Sequence, residues 1–175
     1  MTASSIIPKL NRMDAIVIGP GLGRHPGNWP LMQELFHFVK NQKVPFVIDG
    51  DGLWFVSEHI EHFPRQMVTT VLTPNIVEFS RLCKSALGEE DVLNVRSHSQ
   101  LQHLAAELSR KMDVTIYMKG EVDLVVTPNG EGKCDPLTMS TSSFSFEMFD
   151  GFEFKEMWRS RGCHCRKSGA LLVLG

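Results

Sequence analysis

Between residues 14 and 127 the apolar positions follow two alternating periods. Short, nearly unbroken apolar runs (Ala15-Ile-Val-Ile18, Pro45-Phe-Val-Ile48, Val71-Leu72 and Val114-Thr-Ile-Tyr-Met118) are separated by stretches whose apolar residues recur at helical spacing. Strands without polar alternation are those buried on both faces, and strands alternating with helices predict a parallel sheet. Leu31, Met32, Leu35, Phe36 and Val39 predict a helix between the first two runs, with Pro30 in its first turn. Residues 76–83 predict a second helix, capped by Asn75, with Glu78 three residues on completing a capping box. Residues 99–111 predict a third, with Leu101, Leu104, Ala105 and Leu108 on one face. Residues 114–118 and 124–127 are separated only by Lys119-Gly-Glu-Val-Asp123, too short for a parallel crossover, so this pair should be an antiparallel hairpin. Asn129-Gly130 signals a turn directly after it.

Each apolar run breaks off into residues that carry chemistry. The first runs into Gly19-Pro-Gly-Leu-Gly23, the second into Asp49-Gly-Asp-Gly52, the third into Thr73-Pro-Asn75 and the fourth into Lys119-Gly120. Open α/β sheets bind ligands outside the carboxyl ends of their strands, so four such exits predict a nucleotide or phosphate crevice. The glycine turn either lets backbone N–H groups approach an anion or makes a plain tight turn, and its spacing matches neither the dinucleotide fingerprint nor the longer phosphate loop. Asp49 and Asp51 suit Mg²⁺ or a ligand hydroxyl, but without partners in the sequence a turn in which Asp bonds to nearby N–H groups is the simpler reading. The helix start at Asn75, with Arg81 beyond it, suits an anion, and Lys119 suits a phosphate as a point charge.

Composition narrows the picture little. The chain has 175 residues, enough to bury a real core in one domain, and its net charge of −2 makes no electrostatic case for nucleic acid or an acidic membrane. Cys83, Cys134, Cys163 and Cys165 show no disulfide framework, which favours a reducing compartment. No run approaches the ~18 apolar residues of a spanning helix, and the first residues form neither a signal peptide nor a convincing transit helix. A cytoplasmic location is expected, with a mitochondrial one reserved for a longer form. His59-x-x-His62 can place two imidazoles on one helical face but has no third ligand nearby in sequence, and Cys163-His164-Cys165 lacks the spacing of a zinc knuckle, so no metal site is expected. From Cys134 onward the pattern changes. A Ser/Thr-rich stretch, five Phe among acids (Phe144, Phe146, Phe149, Phe152, Phe154) and a basic cluster precede an apolar end at residues 170–174, with no convincing period.

Four strings together resemble one family. Val17-Ile-Gly-Pro-Gly-Leu-Gly-Arg24, Val47-Ile-Asp-Gly-Asp-Gly-Leu53, Leu72-Thr-Pro-Asn-Ile-Val-Glu-Phe-Ser-Arg-Leu82 and Met118-Lys-Gly-Glu-Val-Asp123 stand in the order seen in the eukaryotic ATP-dependent (S)-NAD(P)H-hydrate dehydratases, of the ribokinase-like superfamily. The resemblance covers residues 10–133. It implies a three-layer α/β/α fold with a mostly parallel central sheet, incomplete at both ends, over residues 1–133, followed by a divergent tail at 134–175. It implies a hydro-lyase that repairs the S epimer of hydrated NADH or NADPH with ATP and Mg²⁺, by phosphorylating the ring hydroxyl and expelling phosphate. By the same resemblance Gly23, Asn75, Ile76, Val77, Glu78, Phe79, Ser80 and Arg81 contact the hydrated cofactor, and Lys119, Gly120, Glu121, Val122 and Asp123 bind ATP.

One part of the family pattern is missing. Members carry Gly-Gly-x-Gly-Asp at the start of a helix after the hairpin, where N–H groups receive the transferred phosphoryl and the Asp serves as base. No such string occurs in this chain, so no catalytic residue is assigned and a truncated, inactive form is expected. Two other readings stand beside it. One is a non-enzymatic nucleotide-binding fragment that assembles with further copies or with a full-length subunit. The other is a small-molecule kinase of the same superfamily. Neither nucleic acid nor membrane is an expected partner.

Overall fold

The computed structural model describes residues 3–11, 13–67, 69–120, 123–129 and 171–174. Six strands form one sheet: β1 (Ala15–Ile18), β2 (Phe46–Ile48), β3 (Thr70–Leu72), β4 (Thr115–Met118), β5 (Leu124–Val126) and β6 (Leu171–Leu174), in the spatial order β5-β4-β3-β2-β1-β6. All neighbouring pairs are parallel except β4 with β5, which is the antiparallel hairpin expected from the short Lys119–Asp123 link. Every residue of β1, β2 and β3 is buried, which is why those strands read as unbroken apolar runs. The α/β pattern read from the sequence stops before residue 134. The structure nevertheless returns the chain to the sheet, pairing Leu171–Leu174 in parallel register with Ala15–Ile18. A four-residue apolar segment has too few positions to reveal its period, so only the partner identifies it as a strand.

The helices are α1 (Ala3–Leu10), α2 (Trp29–Gln42), α3 (Asp51–Glu58), α4 (Ile76–Leu87) and α5 (His98–Met112). In α2 the five residues at helical spacing, Leu31, Met32, Leu35, Phe36 and Val39, are the buried face, and Pro30 lies in the first turn. In α4, Asn75 accepts from the N–H groups of Val77 and Glu78, while the Glu78 carboxylate accepts from the Asn75 N–H, so the capping box is complete. This helix runs one turn beyond its predicted end and stops at Gly88, at φ +81°. The buried face of α5 is Ala105, Leu108, Ser109 and Met112, while Leu101 and Leu104 are half-buried at its margin. Two helices were not legible. The α1 segment is short and contains Pro8. The α3 segment opens within Asp-Gly-Asp-Gly, which reads as a turn, yet its Leu53, Phe55 and Val56 are buried in the core. The turn at Pro128-Asn129 follows β5, and Gly130 lies outside the described residues. No helix among the described residues is long and apolar enough to cross a membrane.

Candidate functional site

Because β1 to β4 are parallel, their carboxyl ends lie along one edge of the sheet, and the four polar exits meet there. They are joined by hydrogen bonds across that edge. The Asp49 N–H donates to the Ile18 carbonyl at 3.0 Å, the Thr73 N–H to the Ile48 carbonyl at 3.1 Å and the Lys119 N–H to the Pro74 carbonyl at 2.8 Å. Lys119 Nζ donates to Asp49 Oδ1 at 2.7 Å, an ion pair between residues 70 positions apart whose side chains are 27% and 11% exposed. The second, third and fourth exits are thus held in one frame.

The glycine turn is shaped first by the protein. A Cβ at Gly19 would lie 1.9 Å from the Asp49 carbonyl oxygen and 2.5 Å from the Gly52 nitrogen, and Gly19 has φ +120°, so only glycine fits. Gly52 has the same role from the other side, where a Cβ would lie 2.9 Å from Ile48 Cγ2 and 3.0 Å from the Ile18 carbonyl. Among the described residues, the close backbone approach that these glycines permit is between the end of β1 and the first turn of α3.

Asp51 ties down the rest of the turn. Its Oδ2 accepts from the Gly23 N–H at 2.9 Å and its Oδ1 from Arg24 Nε at 2.9 Å, and the Arg24 guanidinium lies 5.7 Å from the centre of the Trp54 ring. Asn28 Nδ2 adds a bond to the Leu22 carbonyl at 3.0 Å. The two carboxylates of Asp-Gly-Asp-Gly therefore have separate protein partners, Lys119 for Asp49 and the glycine turn for Asp51. This donor set does not fit a Mg²⁺ site, which needs carboxylates turned to the metal. Neither role was legible, because the partners are 27, 28 and 70 positions away in sequence.

The residues expected to contact the cofactor fall into distinct environments. Gly23 is exposed at φ +73° with its N–H engaged by Asp51. Asn75, Ile76, Val77 and Arg81 are exposed, with Ile76 and Val77 among the large apolar side chains left in water. Glu78 and Ser80 are half-buried, the former committed to the cap. Phe79 is fully buried in the core, so only its backbone is open to a ligand role.

In the string expected to bind ATP, the Asp123 carboxylate accepts from Tyr117 Oη at 2.6 Å and from the Gly120 N–H at 3.1 Å, beside Lys119. Burial, reinforced by the Asp123 carboxylate, pushes the Tyr117 phenol well above its ordinary value, so it stays a proton donor. Glu121 and Val122 lie outside the described residues. Residues 19–24, 75–81 and 119–120 with Asp123 thus lie along one sheet edge, and Asp49 and Asp51 hold two of these strings.

Comparison with known proteins agrees with this geometry. A crystal structure of a ribokinase-like superfamily protein from Enterococcus faecalis V583 superposes with a TM-score of 0.54 at 20% identity, over 71% of this chain and 39% of that one. The fold is therefore the three-layer α/β/α ribokinase-like fold with a mostly parallel sheet. The chain is 90% identical over 135 residues to the ATP-dependent (S)-NAD(P)H-hydrate dehydratase of Caenorhabditis briggsae, covering 77% of this chain and 44% of that protein. It is 87% identical over 135 residues to the protein of the same name from Caenorhabditis elegans, again over 77% and 44%. It is 40% identical over 122 residues to that from Arabidopsis thaliana, over 70% and 32%. It spans less than half the length of these relatives. A profile of the family described as NAD(P)H-hydrate dehydratase matches residues 1–142, so the chain belongs to the NAD(P)H-hydrate dehydratase family.

Proposed function

We propose that this chain carries the cofactor-binding and nucleotide-binding parts of an ATP-dependent (S)-NAD(P)H-hydrate dehydratase. The observation that carries the reading is the convergence of the three strings on one sheet edge, with Lys119 bonded to both the second and the third strand exit. In this reading the hydrated nicotinamide ring lies against the glycine turn and the exposed start of α4, formed by Asn75, Ile76 and Val77, with Arg81 as the cationic contact. ATP lies against residues 119–123, with Lys119 beside its phosphates. Mg²⁺ enters as the counter-ion of those phosphates, and no protein ligand set is assigned to it.

The chemistry explains the need for ATP. Hydroxide is a poor leaving group, whereas phosphate is a good one. The γ-phosphoryl group moves to the ring hydroxyl and ADP is released. The ring C–O bond then breaks with loss of phosphate and a proton, and the double bond returns. A segment that receives the phosphoryl group and takes the hydroxyl proton is needed for the first step, and no Gly-Gly-x-Gly-Asp occurs among the 175 residues. Losing a single transition-state anion donor costs about 100-fold or more in turnover. We therefore expect this chain to bind NADPH hydrate and ATP without turning over.

Equilibrium binding of each ligand, followed by incubation with both while NADPH absorbance is recorded, tests the reading. Binding without recovery of absorbance is the expected result. Failure to bind either ligand would overturn the site, and recovery at an enzymatic rate would overturn the inactivity. Assembly with further copies or with a full-length subunit is the second reading, favoured by the short edge strand β5, which among the described residues pairs on one side only, with β4. Co-purification with a tagged full-length relative would support it.

A further inference from the structure

Away from the crevice, the end of α3 gathers three side chains with metal-ligand chemistry. The chain leaves α3 at His59 and makes a one-turn 3-10 helix, Ile60–His62. Residues three apart eclipse one another on such a turn, so His59 and His62 face the same side, with ring centres 6.4 Å apart. Glu61 joins them, and one ligand atom from each of His59, Glu61 and His62 lies within 4.8 Å of the others. The third ligand that the His-x-x-His spacing lacked is thus the intervening glutamate, which turns toward His62 at 2.9 Å. We propose that His59, Glu61 and His62 form a surface site for a divalent transition metal, with Zn²⁺ the best chemical match.

Two imidazoles and one carboxylate are a zinc donor set that leaves a further position for water. The site is partly ordered before any metal binds. The His59 ring stacks on Trp29 with centres 4.0 Å apart and an interplanar angle of 20°, and His62 meets the same indole edge-on at 6.3 Å. Trp29 is itself held against Phe36 and Phe55. A metal here would clamp the end of α3 to the 3-10 turn and, through the Trp29 stack, to the start of α2. The site lies one α3 length, about 12 Å, from Asp51 and the crevice. It is therefore independent of the cofactor reading.

The test is a Co²⁺ titration of the whole chain in a Cys134→Ser/Cys163→Ser/Cys165→Ser background, which leaves only the buried Cys83 thiol, followed by displacement with Zn²⁺. Saturation at about one equivalent, with visible d–d bands that Zn²⁺ abolishes, is expected. His62→Ala should weaken binding by about tenfold or more, and the exposed Glu61→Gln by several-fold, both with unchanged circular dichroism. The absence of saturable binding up to about 1 mM would overturn the proposal. So would an affinity unchanged in Glu61→Gln and in the folded His62→Ala/Glu61→Gln double variant.

Discussion

The pair formed by Asp49 and Lys119 is the shortest and least exposed ion pair among the described residues, and its contribution to stability can be worked out. Two unit charges about 4 Å apart at an effective dielectric near 20 attract by about 4 kcal/mol. Desolvation of both groups offsets much of that, since the Asp49 side chain is only 11% exposed. Water still reaches the ammonium, because Lys119 is 27% exposed, and screens part of the remainder. The net coupling should therefore be about 1–2 kcal/mol, between an exposed pair and a fully buried one. The perturbations are Asp49→Asn, which keeps the shape and removes the charge, Lys119→Met, which keeps the stem, and the double variant. Urea unfolding followed by far-UV circular dichroism gives the three stabilities, and the cycle isolates the pair from each residue's other contacts. Asp49→Asn alone should lower the midpoint with an unchanged slope. A coupling energy below about 0.3 kcal/mol would refute the argument, because the 2.7 Å contact would then contribute no more than an exposed ion pair.

Three further outcomes follow from the same geometry. Asn75→Ala removes the acceptor for two N–H groups at the start of α4 and should cost about 1 kcal/mol in urea unfolding, with Asn75→Asp retaining most of it. Gly19→Ala places a methyl group 1.9 Å from the Asp49 carbonyl in a left-handed backbone and should cost more than about 3 kcal/mol or prevent folding, whereas Gly21→Ala, which meets nothing within 4 Å, should cost only the φ penalty of about 1 kcal/mol. Burial pushes the Cys83 thiol up to about 12, with the Glu89 and Glu107 carboxylates adding to it. A folded value above the unfolded one adds stability that is complete below the unfolded value and is lost as pH rises. Stability should therefore fall between the unfolded value of about 8.5 and pH ~12, and a Cys83→Ala variant should show a shallower decline in that window.

The expected cofactor-contact set illustrates how sequence position and spatial role diverge. Residues 75–81 form one continuous string, yet a helix turns its members by about 100° each. Phe79 therefore belongs to the core, Asn75 and Glu78 to the cap, and Ile76, Val77 and Arg81 to the exposed surface. The string marks the region expected to meet the cofactor, and the helix decides which of its members are exposed there.

What the sequence determined by itself was everything that local chemistry enforces. The apolar runs and helical spacings set most elements, the short Lys119–Asp123 link forced a hairpin, and Asn75 with Glu78 announced a cap, because each depends on residues a few positions apart. The four strings likewise carried the family. Only the tertiary structure decided what depends on distant partners. Asp49 and Asp51 hold Lys119 and the glycine turn, Gly19 and Gly52 let two strand exits touch, and Leu171–Leu174 finds β1. Glu61 becomes a third donor beside His59 and His62 only once the chain makes a 3-10 turn. Contacts across tens of residues are made by the packing of the sheet edge, and no local period encodes them.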